Sequence, residues 1–246
     1  MSTTLIWDAP VRVGHALLAG TVCAAAGLAF LTDEHSAWFP WHMLLGLMAV
    51  PVVAFRLVWL AVGTRHARLG GLVHSPRRTA AYFAGLLRGR PVAYAGHNPG
   101  SAPAIVLMLG LTAALAITGV MMARAGGEGG VVKEVHEVCA TALLVVIGLH
   151  LAGVLVHTVL HRELIALSMV TGRKQAAVQE AITGTHRLAA AALVAGTGLF
   201  AWHLAGSFNP ATGTAILPVL GWRLTLGEAN DWRSEPQRGE GREERR

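Results

Sequence analysis

The sequence predicts an all-α membrane protein, a four-helix transmembrane bundle followed by a fifth, C-terminal transmembrane helix. Three observations predict it. Residues AVILMFWYC make up 53% of the 246-residue chain, and 29 glycines raise the apolar share to about 65%. Charged residues are only 14%, against about 25% in an average soluble domain. The apolar residues fall in five long runs, with nearly all formal charge between them. So much apolar surface also excludes a disordered chain.

The runs cover 13–31, 41–63, 102–123, 138–160 and 188–206. Each is close to the roughly 20 residues that a helix needs to cross a hydrocarbon core about 30 Å thick. None alternates with period 2, so helices are expected and a membrane barrel is not. In the first run Ala24, Ala25 and Ala26 resemble a signal-peptide cleavage site. Asp8 and Pro10 precede it, however, and the run is longer than a signal-peptide core, so it reads as a retained helix. The second run holds Arg56, the one formal charge inside any of the five.

Charges between the runs set the orientation. The segment between the second and third carries Arg65, Arg68, Arg77, Arg78, Arg88 and Arg90 and no acid. The first loop carries Asp33 and Glu34 and no Lys or Arg. By the positive-inside rule the N-terminus and the Arg-rich loop are cytoplasmic, and Arg162, Arg173 and Lys174 after the fourth run agree. A fifth span then leaves the C-terminus periplasmic. The tail, with Asn209, Pro210, Pro218 and a charged run over 233–246, reads as extramembrane and loosely ordered at its end. The expected organisation is a transmembrane domain over 1–175, the added helix over 176–206 and the tail over 207–246.

The net charge of +6 is explained by basic residues at membrane ends, so lipid and not nucleic acid is the expected surroundings. The seven tryptophans lie mostly at span ends, as an aromatic belt requires. Cys23 and Cys139 form no CxxC or CxxCH, which excludes a disulfide framework, a zinc ribbon and covalent c-type haem attachment.

Twelve histidines are the remaining anomaly, because a histidine inside a membrane span is costly and points to function. His15 opens the first span on the cytoplasmic side, and His42 opens the second on the outer side. His136 and His150 both belong to the fourth helix. Their separation of 14 residues is about 21 Å of rise, and it returns the side chain to within about 40 degrees of the same face. His42 then matches His136 in depth, and His15 matches His150. Two such pairs are the arrangement that bis-histidine ligation of two b-type haems needs. Arg56 lies 14 residues after His42, at the depth of the cytoplasmic-side pair, where a haem propionate would neutralise it. Arg12, one turn before His15, suits the same haem. Ala19, Gly46, Ala140 and Gly153 place small side chains one turn from the four ligands. His157, His161, His66, His74 and His97 are expected to be solvated, and His186 and His203 to act as interfacial anchors.

These residues, taken with Trp7-Asp8, Gly63-Thr64-Arg65-His66-Ala67-Arg68, Gly96-His97-Asn98-Pro99, His136-Glu137 and Gly172-Arg173-Lys174, resemble the bacterial cytochrome b561 and nickel-iron hydrogenase b-type cytochrome superfamily. The likeness runs from Leu5 to Lys174. It implies a four-helix bundle holding two b haems, with His15, His42, His136 and His150 in the ligand positions. It further implies electron transfer across the inner membrane between the quinone pool and a periplasmic redox partner, such as a c-type cytochrome, a hydrogenase or another dehydrogenase. Two features depart from the family: Ala16 stands where it usually has Trp, and the fifth span with its tail lies beyond its core.

The expected role is therefore an electron-transfer subunit of an oxidoreductase complex, a respiratory-chain cytochrome with no catalytic residue of its own. The alternatives are a stand-alone quinone-reducing oxidoreductase and a histidine-lined metal or proton transporter. Transport would favour acids inside the spans, whereas the charge there is Arg56.

Overall fold

The computed structural model describes residues 2–90, 92–126 and 130–226, so the charged run expected over 233–246 lies outside the described residues. The chain begins with strand β1 (Ser2–Leu5) and enters helix α1 (Ala9–Leu31) through a local signal. The Asp8 carboxylate accepts from Val11 N at 2.9 Å, and Pro10 fills the first turn, where a missing N–H costs nothing. Helix α2 (Phe39–Val62) likewise opens on a proline, Pro40, and carries Pro51 inside. A twelve-residue helix, α3 (Pro76–Leu87), is capped by Ser75. Asn98 then receives Gly100 N and Ser101 N at 3.0 and 2.7 Å, which turns the chain into α4 (Ser101–Arg124).

Helix α5 (Gly130–His161) is 32 residues long, about 48 Å at 1.5 Å per residue. It starts eight residues before its apolar run because Lys133, Glu134 and Glu137 are compatible with a helix outside the hydrocarbon. Lys133 there pairs with Glu34 at 2.6 Å, tying the start of α5 to the α1–α2 loop. The short helix α6 (Ser168–Thr171), strand β2 (Arg173–Ala176) and helix α7 (Arg187–Ser207) follow. Strands β3 (Thr214–Ile216) and β4 (Arg223–Thr225) close the described chain. Among these helices α1, α2, α4, α5 and α7 are long and apolar enough to cross a membrane, and most of their large apolar side chains face outward, as a lipid-facing surface requires.

Neighbouring helices pack in sequence, α1 on α2, α2 on α4 and α4 on α5, while α7 lies against both α1 and α2. Helix α5 has no comparable packing against α1 or α2. The bundle is therefore left open along one side of α5.

Each end has its own small core. At the end holding the N-terminus, β1 pairs antiparallel with β2 from Ser2↔Ala176 to Leu5↔Arg173, and Ile6, Trp7, Val11, Trp59, Ala67 and Ala176 are buried together. Gly172 makes this possible. Its φ of +77° suits glycine, a Cβ there would fall 2.8 Å from the Trp7 carbonyl, and its own carbonyl receives both Ile6 N and Trp7 N. At the opposite end, β3 and β4 form a hairpin whose Ala215, Leu217, Leu224 and Leu226 are buried against Leu44, Leu47, Ala123 and Leu204. The segment after α7 is thus docked on the bundle as far as residue 226, and α3 and the four strands are elements that hydropathy alone did not disclose.

Asp8 joins these parts. It is fully buried, and its Oδ2 accepts from Trp59 Nε1 at 3.0 Å and from Thr64 Oγ1 at 2.7 Å. Asp8→Ala removes a helix cap and strands two donors, for an expected loss of about 3 kcal/mol. Thr64→Val removes one contact and should cost about 1 kcal/mol. Denaturant titration of the purified protein in mild detergent measures both, and equal effects would contradict this ranking.

Candidate functional site

His42 sits in the first turn of α2, half-buried and stacked on Phe39 with ring centroids 5.3 Å apart. Its Nδ1 lies 2.8 Å from the Ala25 carbonyl of α1. A carbonyl only accepts, so Nδ1 carries the proton and Nε2 keeps its lone pair. His136 on α5 is held the same way. Its Nδ1 lies 2.8 Å from Thr118 Oγ1, and that hydroxyl spends its one hydrogen on the Ala114 carbonyl at 2.8 Å. A hydroxyl so engaged accepts from Nδ1–H, the tautomer that leaves the Nε2 lone pair free. Gly119 keeps α4 clear of this ring, since a Cβ there would meet His136 Cε1 at 3.7 Å.

His42 and His136 lie within electrostatic reach of one another, as do His15 on α1 and His150 on α5. Each pair thus draws one histidine from α5 and one from a helix against which α5 does not pack. Beside Gly46 and Gly153, one turn from His42 and His150, a Cβ would meet nothing within 4 Å. Arg12 donates through Nη1 to the Val170 carbonyl, and its Nε is buried without a partner. Arg56 donates through Nη1 to the Ala67 carbonyl at 2.9 Å and lies within reach of Asp8.

Three histidines expected to be solvated are not. His66 is only 7% exposed, and its Nε2 donates to the Glu180 carbonyl at 2.8 Å. His97 packs on Trp7 with ring centroids 4.6 Å apart, and its Nε2 is shielded from solvent without a partner. Burial first, then the charges of Arg56, His66 and Lys174, push His97 down to about 3. His157 is buried and stacks on His161 at 4.2 Å, with Glu163 Oε2 3.8 Å from its Nε2. The loops that carry His66 and His97 fold over the β1–β2 pair, so their imidazoles become part of a core. His186 and His203 are exposed, His186 edge-on to Trp59 at 5.5 Å.

Between these loops lies a cavity of about 570 Å³, lined by Arg65, His66, His74, Tyr94, His97 and Glu180 among others. Arg65 and Glu180 pair across it at 3.2 Å. Beneath them Lys174 is 5% exposed and donates to the Tyr94 carbonyl at 2.6 Å. Burial lowers its pKa, which Glu163 partly opposes. Thr118, Gly119 and Lys174 are thus site residues that sequence reasoning passed over. A threonine in an apolar run, one of two there with Thr112, is the only signal that pointed to the first.

The cap depends on Gly96, where a Cβ would fall 2.7 Å from His66 Nδ1. Gly96→Ala is expected to push His66 off Glu180 and to cost about 1–3 kcal/mol. Its effect should be strongly less than additive with His66→Ala. A double-mutant cycle in thermal unfolding measures this, and full additivity would refute the contact.

A sequence model of the family described as prokaryotic cytochrome b561 matches residues 6–172. No curated protein and no solved structure matches the chain.

Proposed function

The chain belongs to the prokaryotic cytochrome b561 family, and from that premise we propose that it carries electrons through two b haems, one held by His42 and His136, the other by His15 and His150. It is a multi-pass membrane protein with five spanning helices, and its family is one of b-type cytochromes of electron transfer. The observation that carries the two-haem reading is α5. One helix presents two imidazoles, each opposed by an imidazole from a helix that α5 does not pack against. Among the described residues no three His, Cys, Asp or Glu converge to hold a bare metal ion. A pair of axial imidazoles around a porphyrin needs no third protein donor.

A bound b haem supplies a one-electron carrier. The chain's own residues do the rest. The Ala25 carbonyl and the Thr118 hydroxyl hold the rings of His42 and His136 through Nδ1, so that Nε2 of each would be left as the lone-pair donor to hold a haem. Arg12 and Arg56 offer cations to propionates at the other pair. Residues of α2 and α4 with the β3–β4 hairpin close one end against water, and the β1–β2 cap closes the other. In this reading the cap is cytoplasmic and the hairpin periplasmic in a bacterial inner membrane. Electrons pass between the quinone pool and a periplasmic c-type cytochrome, hydrogenase or other dehydrogenase.

A pyridine haemochrome assay on the purified protein is expected to give two b haems per chain. His136→Ala should remove the haem at the hairpin end and His150→Ala the one at the cap end, and retention of both haems in either variant sinks the assignment. Thr118→Val frees the His136 ring and is expected to weaken haem affinity at that site by about 10–100-fold, read as haem loss to apomyoglobin. Unchanged loss kinetics would show that the hydroxyl does not orient the ligand.

A further inference from the structure

Positive charge is gathered under the cap out of proportion to the acids there. Lys174 is nearly fully buried, yet of its three N–H donors the structure gives a partner to one, the Tyr94 carbonyl. Arg12 Nε and His97 Nε2 are buried with no partner. Arg56 rests on a single carbonyl, that of Ala67.

No carboxylate nearby is hydrogen-bonded to Lys174 or His97, although Glu163 acts on Lys174 through space. Asp8 is filled by Val11, Trp59 and Thr64. Glu163 takes Gln175 N at 3.0 Å, and Glu180 is engaged by Arg65 at 3.2 Å. A buried ammonium short of acceptors costs free energy, and so does a buried imidazole nitrogen with no partner, which in its Nε2–H tautomer needs an acceptor too. A carboxylate satisfies both, because it accepts several hydrogen bonds and neutralises charge.

The neighbours of His97 show where that carboxylate enters. Arg56, His66, Lys174 and His150 all lie within its electrostatic reach, and His150 is the α5 member of the cap-end histidine pair. The orphaned donors therefore sit beside that pair and not beside His42 and His136 at the other end of the bundle.

We propose that His97 and Lys174 are carboxylate-binding residues for the propionates of the haem at the cap end, joining Arg12 and Arg56. The inference rests on the haem assignment made above. It gives a role to the Gly96-His97-Asn98-Pro99 and Gly172-Arg173-Lys174 motifs, which lie 75 residues apart and which the axial ligands leave unused. Because His97 also lines the open cavity, this contact borders water on the same side of the membrane.

The test uses the full chain with its haems in lipid nanodiscs and an optical redox titration, with the cap-end haem identified as the one lost in His150→Ala. Positive charge beside a propionate favours the reduced haem. Lys174→Met is therefore expected to keep both haems and to shift the cap-end redox equilibrium about tenfold toward the oxidised form, about 59 mV for one electron. The hairpin-end haem should stay in place. His97→Leu should shift the same haem in the same direction, and His97→Gln, which keeps an N–H donor, should restore it. The propionate bending bands in resonance Raman spectra should move in Lys174→Met and His97→Leu only. If Lys174→Met does not accumulate, the contrast between His97→Leu and His97→Gln decides alone. Two haems bound with unchanged potentials and bands in every variant would overturn the proposal while leaving the haem assignment standing. Wild-type protein without b haem would overturn that assignment itself.

Discussion

A carboxylate taken out of water among helix ends is tolerated only when each oxygen finds donors, and Asp8 meets that condition with three. Val11 N–H makes it the cap of α1, the Trp59 indole binds it to the last turn of α2, and the Thr64 hydroxyl binds it to the chain leaving α2. One side chain thereby fixes where the first helix starts, how it meets the second, and where the next loop begins. The arrangement also sets Arg56, within reach of the same carboxylate, at the height of the cap, where it donates to the Ala67 carbonyl.

From that point the cap assembles outward. With Trp7 fixed beside Asp8, the N-terminal strand can reach residues 173–176 and pair with them, and Gly172 supplies the left-handed turn that lets two backbone N–H groups share its carbonyl. The pairing draws His66 to Glu180 and His97 to Trp7. Four short motifs, Trp7-Asp8 and those at 63–68, 96–99 and 172–174, thus become a single cluster, with the imidazoles of His66, His97 and His157 drawn into it. The opposite end follows a simpler rule, in which the hairpin after α7 covers the apolar ends of α2 and α4, and Trp222 lies under the Arg124 guanidinium at 4.2 Å.

Between the ends, the bundle is defined as much by where helices do not pack as by where they do. Helix α5 leans on α4 and stands off α1 and α2, while two of its four histidines, His136 and His150, lie within electrostatic reach of His42 and His15 on those helices. The orienting bonds come from neighbours: a main-chain carbonyl of α1 for His42 and a hydroxyl of α4 for His136. Such outer partners hold each imidazole ring in place within the bundle. The helices around them need only hold their register, and the ties at both ends supply it.

The spans and the depth of the histidines were legible in the residues themselves, because apolar length and the 3.6-residue repeat are properties of a local run. Hydropathy placed all five helices, although it clipped α5 by the eight residues that carry Lys133, Glu134, His136 and Glu137, since a helix outside hydrocarbon has no need of an apolar run. It did not disclose α3, whose Arg77 and Arg78 read as loop charge, nor strands of three or four residues, which are too short to show a period. What only the tertiary structure decided was environment. His66, His97 and His157 have the composition of solvated loop or interface residues, yet His66 and His157 are buried, His97 Nε2 is shielded from solvent, and Lys174 is withdrawn from water, because contacts such as Trp7 with His97, His66 with Glu180 and Tyr94 with Lys174 fold the loops over one another. Burial and hydrogen-bond partners are set by those long-range contacts, whereas helix length and facing are set by covalent neighbours, so the sequence by itself determined the spans and the spacing of the histidines along them, and the fold alone decided which side chains are drawn in around them.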